Sequence, residues 1–173
     1  MKRGVAASLL LWLFCWAEGV ARLSGSEGSL PPSLSAAILV RLVALDSSRA
    51  GAEDIRIHVL GNEALAKELE THVGHSVGAR VLGGVSVGDR LPEGRVDVVV
   101  VSNRANLPRV LAYSEKRGAI SASTNPDFGR LGVSLVIYDD EGMPGILLNR
   151  SASRREGLRW EPEILQVAQL TGE

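Results

Sequence analysis

The sequence predicts an α/β fold: a mostly parallel twisted sheet with helices on both faces and an antiparallel hairpin at its C-terminal end. Three observations carry that expectation. Residues 96–101, VDVVVV, are almost wholly apolar, as a strand buried on both faces of a parallel sheet requires. β-branched runs alternate with segments of helical period, first at residues 55–60 and 63–73, then at 96–101 and 107–117. Near the end, two strand-like runs flank DDEG, a turn too short for a crossover connection and suited to a hairpin.

The elements follow in order. Residues 33–45 place Leu34, Ala37, Ile38, Arg41, Leu42 and Leu45 at helical spacing, with Ser33 or Ser35 positioned as an N-cap. DSSRAGAED breaks the pattern, and Ile55, Ile57, Val59 and Leu60 form the first strand, ending at Gly61 and Asn62. Leu65, Leu69 and Val73 then recur every four residues up to Gly74, which completes a βα unit. A short strand is expected at 79–82. LGGVSVG, residues 82–88, reads as a flexible turn, because it lacks the lysine and hydroxyl of a phosphate loop and the three-glycine spacing of a dinucleotide site. After the 96–101 strand, residues 107–117 are helical, with Pro108 in the first turn and Gly118 beyond the end. Residues 119–123 give another strand, 133–138 and 146–148 the hairpin, and 151–157 and 161–170 two closing helices. This order describes half of a binding-protein-like architecture.

Lys2 and Arg3 precede an uninterrupted small or apolar run over residues 5–16, followed by small residues at Ala17, Gly19 and Ala21. That is the pattern of a signal peptide cleaved after Gly19 or Ala21, and the run is shorter than the roughly 20 residues a membrane span needs. Cys15 follows Phe14 deep inside the run, which is not the setting of a lipid-modified cysteine. The expected organisation is a leader over 1–21, a turn-rich tether RLSGSEGSLPP over 22–32, and one domain over 33–173. The chain has 19 basic and 20 acidic residues; removing Lys2, Arg3 and Glu18 leaves 17 and 19, which gives no electrostatic case for nucleic acid. Cys15 is the only cysteine, so the processed chain has no thiolate nucleophile, cysteine metal site or disulfide.

Candidate chemistry is sparse. His72 and His75 stand three apart, but Gly74 interrupts the helix between them and no carboxylate pair completes a metal site. Asp139, Asp140 and Glu141 fill a turn closed by Gly142. No serine sits in a nucleophile elbow and no triad can be assembled, so the expectation is a binding protein without a cofactor rather than an enzyme. Ligands of parallel α/β sheets bind outside the carboxyl ends of the strands, which singles out Asn62, Ser102 and Asn103 as a ligand edge, with helix capping as their alternative role. Arg154, Arg155, Arg159 and Trp160 combine residue types enriched at interfaces and form a candidate partner surface, although Trp160 also suits a core position between Leu158 and Ile164.

The C-terminal stretch GVSLVIYDDEGMPGILLNRSASRREGLRWEPEILQVAQL resembles the end of the YfiR family: strand, acidic glycine turn, strand ending in asparagine, short helix, Gly-Leu and a final helix. The strands IRIHVLGN and VDVVVVSN fit the same order, so the likeness covers residues 33–170. The resemblance implies a periplasmic protein, dimeric in its better-known members, that holds a membrane-bound diguanylate cyclase inactive and so restrains cyclic di-GMP signalling and biofilm formation. The partner it implies is an inner-membrane signalling protein, a diguanylate cyclase or a sensor kinase. Disulfides stabilise some members, and the processed chain can form none. A soluble receptor for a small solute, serving a transport or sensory system, is the alternative reading.

Overall fold

The computed structural model describes residues 29–49 and 54–172, so the expected leader and the first part of the expected tether lie outside the described residues. The sheet has eight strands: β1 (Ile55–Leu60), β2 (Ser76–Val77), β3 (Arg80–Gly88), β4 (Val98–Val101), β5 (Ile120–Ser123), β6 (Leu135–Asp140), β7 (Met143–Asn149) and β8 (Gln169–Thr171). Their spatial order is β2-β3-β1-β4-β5-β6-β7-β8. The five strands from β3 to β6 run parallel, β2 is antiparallel to β3 and β7 to β6, and β8 is parallel to β7.

Alternation along the strands divides the interior into two cores. Ile57 and Val59 of β1, Val98 and Val100 of β4, and Ile120 and Ala122 of β5 face one side, where α1 (Pro32–Val43) and α2 (Glu63–Glu70) cover them. Val99 and Val101 of β4 and Val136 of β6 face the other, covered by α3 (Leu107–Arg117) and α4 (Asp127–Arg130). All four residues of β4 are buried, because helices lie on both faces of that strand. α3 ends at Gly118, whose φ of 64° is the left-handed conformation that stops a helix at low cost in a residue without a Cβ. α5 (Arg150–Arg155) follows β7, and α6 (Ile164–Val167) precedes β8.

Three local expectations are corrected. The buried face of α1 is Ser35, Ala36, Leu39, Val40, Leu42 and Val43, not the face that includes Leu34 and Arg41. The helix is apolar almost all round, so periodicity leaves its rotation open and packing decides it. The glycine-rich 82–88 segment is the interior of a nine-residue strand rather than a turn. Register slips there, with Ile55 opposite Leu82 and Arg56 opposite Gly84. Gly83 is the extra residue, and a Cβ on it would lie 2.5 Å from that of Asp54, so glycine marks a bulge and a close approach. The helix expected over 161–170 is one turn of α6, after which the chain joins the sheet as edge strand β8. α4 and β2 are short elements with no repeating pattern to announce them. The hairpin forms as expected, with Glu141 (φ 53°) and Gly142 (φ 88°) as its two turn residues.

Candidate functional site

β1 lies between β3 and β4, so the chain leaves it first toward one edge through α2 and later toward the other through α3. This reversal is the topological switch point at which open parallel sheets bind ligands. A cleft of about 450 Å³ opens there. Its walls come from the segments that follow four adjacent parallel strands: Asp89 after β3, Gly61 after β1, Ser102 to Arg104 after β4, and Asn125 after β5, with Asp127 and Phe128 of α4 behind it.

Local hydrogen bonds build these walls. Gly61 turns the chain with φ 73°, and Asn62 then caps α2, its Oδ1 accepting from the Leu65 amide at 3.0 Å. Asn103 Oδ1 accepts from the Ala105 amide at 2.8 Å and starts a short 3-10 turn, Arg104–Asn106, ahead of α3. Ser123 Oγ donates to the Val101 carbonyl at 2.7 Å and accepts from the Asn125 amide, which fixes the end of β5 beside that of β4. Asn125 Oδ1 in turn accepts from the Asp127 amide at 3.0 Å. Each asparagine spends its carboxamide oxygen on the backbone, an exchange typical of such turns. Ser102 differs, because its hydroxyl oxygen is buried and has no hydrogen-bond partner.

Of the residues singled out from sequence, Ser102 and Asn103 lie in the cleft wall, while Asn62 sits one residue beyond Gly61 with its side chain committed to capping. Asp89, Arg104, Asn106, Asn125 and Asp127 were not anticipated. The strand-end rule could have found Asn125 and Asp127, which follow the strand expected at 119–123. Asp89 has no such signal, because the glycine-rich sequence of β3 conceals that the strand extends to Gly88.

His58 holds the Asp89 wall from below. Its Nδ1 lies 2.8 Å from Ser86 Oγ and its Nε2 lies 2.9 Å from the Arg90 carbonyl. A carbonyl only accepts, so Nε2 carries the proton and Nδ1 accepts from the serine. Burial lowers the pKa of His58 from its ordinary value, against a smaller upward effect of the Arg90 carbonyl, so the ring is held neutral.

The candidate partner surface divides. Arg154, Arg155 and Arg159 are exposed. Arg155 pairs with Glu115 of α3 through Nε and Oε1 at 2.6 Å, and no such pair involves Arg154 or Arg159 among the described residues. Trp160 is half-buried, packs against the α1 side of the core, and donates from Nε1 to Ser153 Oγ at 2.9 Å. The backbone of this segment is clasped to the end of α1: the Arg159 amide donates to Asp46 Oδ1, and Asp46 and Trp160 form a bridge.

Two further ionisable sites are internal. Asp97, just before β4, accepts from Arg49 at 2.8 Å, Arg80 at 3.1 Å and the Arg56 amide at 2.9 Å. Burial pushes its pKa up, but these donors outweigh burial and the net shift is downward. Glu156, only 3 % exposed, accepts from both the amide and the hydroxyl of Ser121. Ser121 also accepts from the Ser134 amide at 2.9 Å. Desolvation dominates here and raises the pKa to about 7. His72 and His75 touch edge to face with ring centroids 6.2 Å apart, and no group of three metal-ligating side chains occurs among the described residues.

Comparison with known proteins gives a family-level match. A family model described as YfiR/HmsC-like matches residues 33–169. No curated protein matches the sequence.

Proposed function

This chain belongs to the YfiR/HmsC-like family, and from that membership we propose that it is an exported regulatory binding protein of the periplasm. Its partner is a membrane-bound diguanylate cyclase, which it restrains, or another inner-membrane signalling protein such as a sensor kinase. The observation that carries this reading is the extent of the match, residues 33–169, which takes in every strand of the sheet but the last residues of β8. The basic, apolar and small-residue order of residues 2–21 supports export. No helix among the described residues is long and apolar enough to cross a membrane.

Arg154, Arg159 and the edge of Trp160 are the partner face in this reading, with Arg155 beside them on α5. Unpaired exposed guanidiniums next to an anchored tryptophan suit a hot spot. Deleting the gene and measuring cyclic di-GMP tests the regulatory role. The level rises in the deletion strain, and an unchanged level under conditions where the protein is made sinks the proposal. Capture of a GGDEF-type cyclase from envelope extract, lost when Arg154→Glu and Arg159→Glu are combined, tests the face.

A second reading, a soluble receptor for a small solute, is favoured by the cleft at the switch point. Recovery of a bound metabolite with no cyclase supports it over the first.

A further inference from the structure

We propose that the cleft at the carboxyl ends of β3, β1, β4 and β5 binds a small neutral polyhydroxylated solute of monosaccharide size. The inference is independent of which signalling partner the protein has, because it rests on the walls of the cleft alone.

Position comes first. Four consecutive parallel strands deliver their following turns to one place, and the cavity of about 450 Å³ falls within the range of roughly 300–1,000 Å³ typical of small-molecule sites. Charge then narrows the ligand. Asp89 and Asp127 place two carboxylates in the wall against the single guanidinium of Arg104, a net negative lining that opposes phosphate, sulfate and nucleotides. Apolar contact narrows it further. Phe128 is the only aromatic in the wall and is 3 % exposed, so little surface remains for a hydrophobic or flat aromatic ligand.

What the wall does offer is a dense mixture of donors and acceptors. The two carboxylates accept from paired hydroxyls. Arg104 donates. Asn103 and Asn125 have committed their oxygens to backbone amides, which leaves their NH2 groups as donors. Ser102 lines the cleft, but its hydroxyl oxygen is buried, so it shapes the wall rather than meeting the ligand. Vicinal hydroxyls present the alternating donors and acceptors that this set requires.

Isothermal titration calorimetry on the purified protein tests the assignment. The probes are D-glucose, D-galactose and myo-inositol, set against glycine, L-glutamate and inorganic phosphate. At least one neutral polyol binds with millimolar or tighter affinity and is preferred about tenfold over every charged probe. Arg104→Ala and Asp89→Ala leave the chain folded, since both side chains are exposed in the cleft wall. Affinity falling about tenfold in either variant supports the site. Absence of binding by all three polyols, preference for phosphate or an amino acid, or affinity unchanged in both variants overturns it. Cyclic di-GMP plays no part in this readout, so failure here leaves the regulatory proposal standing, and the reverse.

Discussion

Replacing Glu156 by glutamine changes the pH dependence of stability in a way that follows from one buried carboxyl. In the folded chain the group has its pKa pushed from 4.5 to about 7, with burial as the main cause and the Ser121 and Ser134 hydrogen bonds opposing it. A carboxyl whose folded pKa is raised contributes its full stability below the unfolded value and loses it as pH rises through the folded value. The window is therefore pH 4.5 to about 7. Each pKa unit corresponds to about 1.4 kcal/mol, so ionisation at alkaline pH costs on the order of 3 kcal/mol. At 3 % exposure there is little solvent to reduce that figure. Glutamine keeps the shape, accepts from the Ser121 amide and cannot ionise. Urea unfolding from pH 5 to 8.5 is the assay. Near pH 5 the variant and the parent have similar midpoints; above pH 8 the variant is more stable by about 3 kcal/mol, a midpoint shift on the order of 1–2 M urea. The comparison must be a difference between the two proteins, because His58 acts in the opposite sense. Its folded pKa is lowered, so its contribution is complete above the unfolded value of 6.5 and lost as pH falls. A stability difference between variant and parent that stays constant across the range refutes the reasoning.

Asp97→Ala leaves Arg49, which is 8 % exposed, without its closest carboxylate, and breaking a buried pair in this way costs about 3–5 kcal/mol; chemical denaturation at pH 7 measures it. Asn62→Ala removes the α2 cap and lowers stability by about 1 kcal/mol, while polyol affinity in calorimetry is unchanged, because Asn62 is not in the cleft wall. Gly145→Ala places a Cβ inside the space of the Tyr138 ring and costs about 1–3 kcal/mol by overpacking, read as a lowered thermal midpoint.

What could be read from sequence was what repeats. β1 and β4 declare themselves by β-branched runs, α3 by its period and by Gly118, and the hairpin by a turn too short for anything else. β3 could not be read, because its glycines carry no periodic signal and the reason for one of them, the approach of Asp54, lies 29 positions away in sequence. The period of α1 is legible but its rotation is not, since a helix with Arg41 as its one charged residue has no unique apolar face until the sheet supplies one. The last strand was hidden for a related reason. Leu165, Val167 and Leu170 are exposed, so the apolar spacing that suggested a long helix is not the record of a buried face. In the site, Ser102 and Asn103 were within reach because they follow a conspicuous strand, whereas Asp89 depended on knowing where β3 ends. Neither Glu156 nor the Ser121 and Ser134 hydroxyls beneath it share a local pattern, because their meeting spans 35 positions and exists only once β5, β6 and α5 have packed.

The two ends of the sheet are built on opposite terms, and the contrast bears on how substitutions should be interpreted. At the amino ends of β1, β3 and β4, Asp97 is saturated by two arginines and a backbone amide, and Arg49 is shared with Asp46. These groups are buried and committed to one another, so a change there is felt as lost stability. At the carboxyl ends of the same strands, Asp89, Arg104 and Ser102 make no such closed set, and the asparagines keep their donors uncommitted. A chain that needed the cleft only as a turn region would gain by pairing Arg104 with Asp89 or Asp127, which line the same wall. Polar groups left open at one end, while the other end of the same strands is closed, mark the end where something else completes the hydrogen bonding. On this argument an Arg104→Ala protein is about as stable as its parent, and what it loses is recognition.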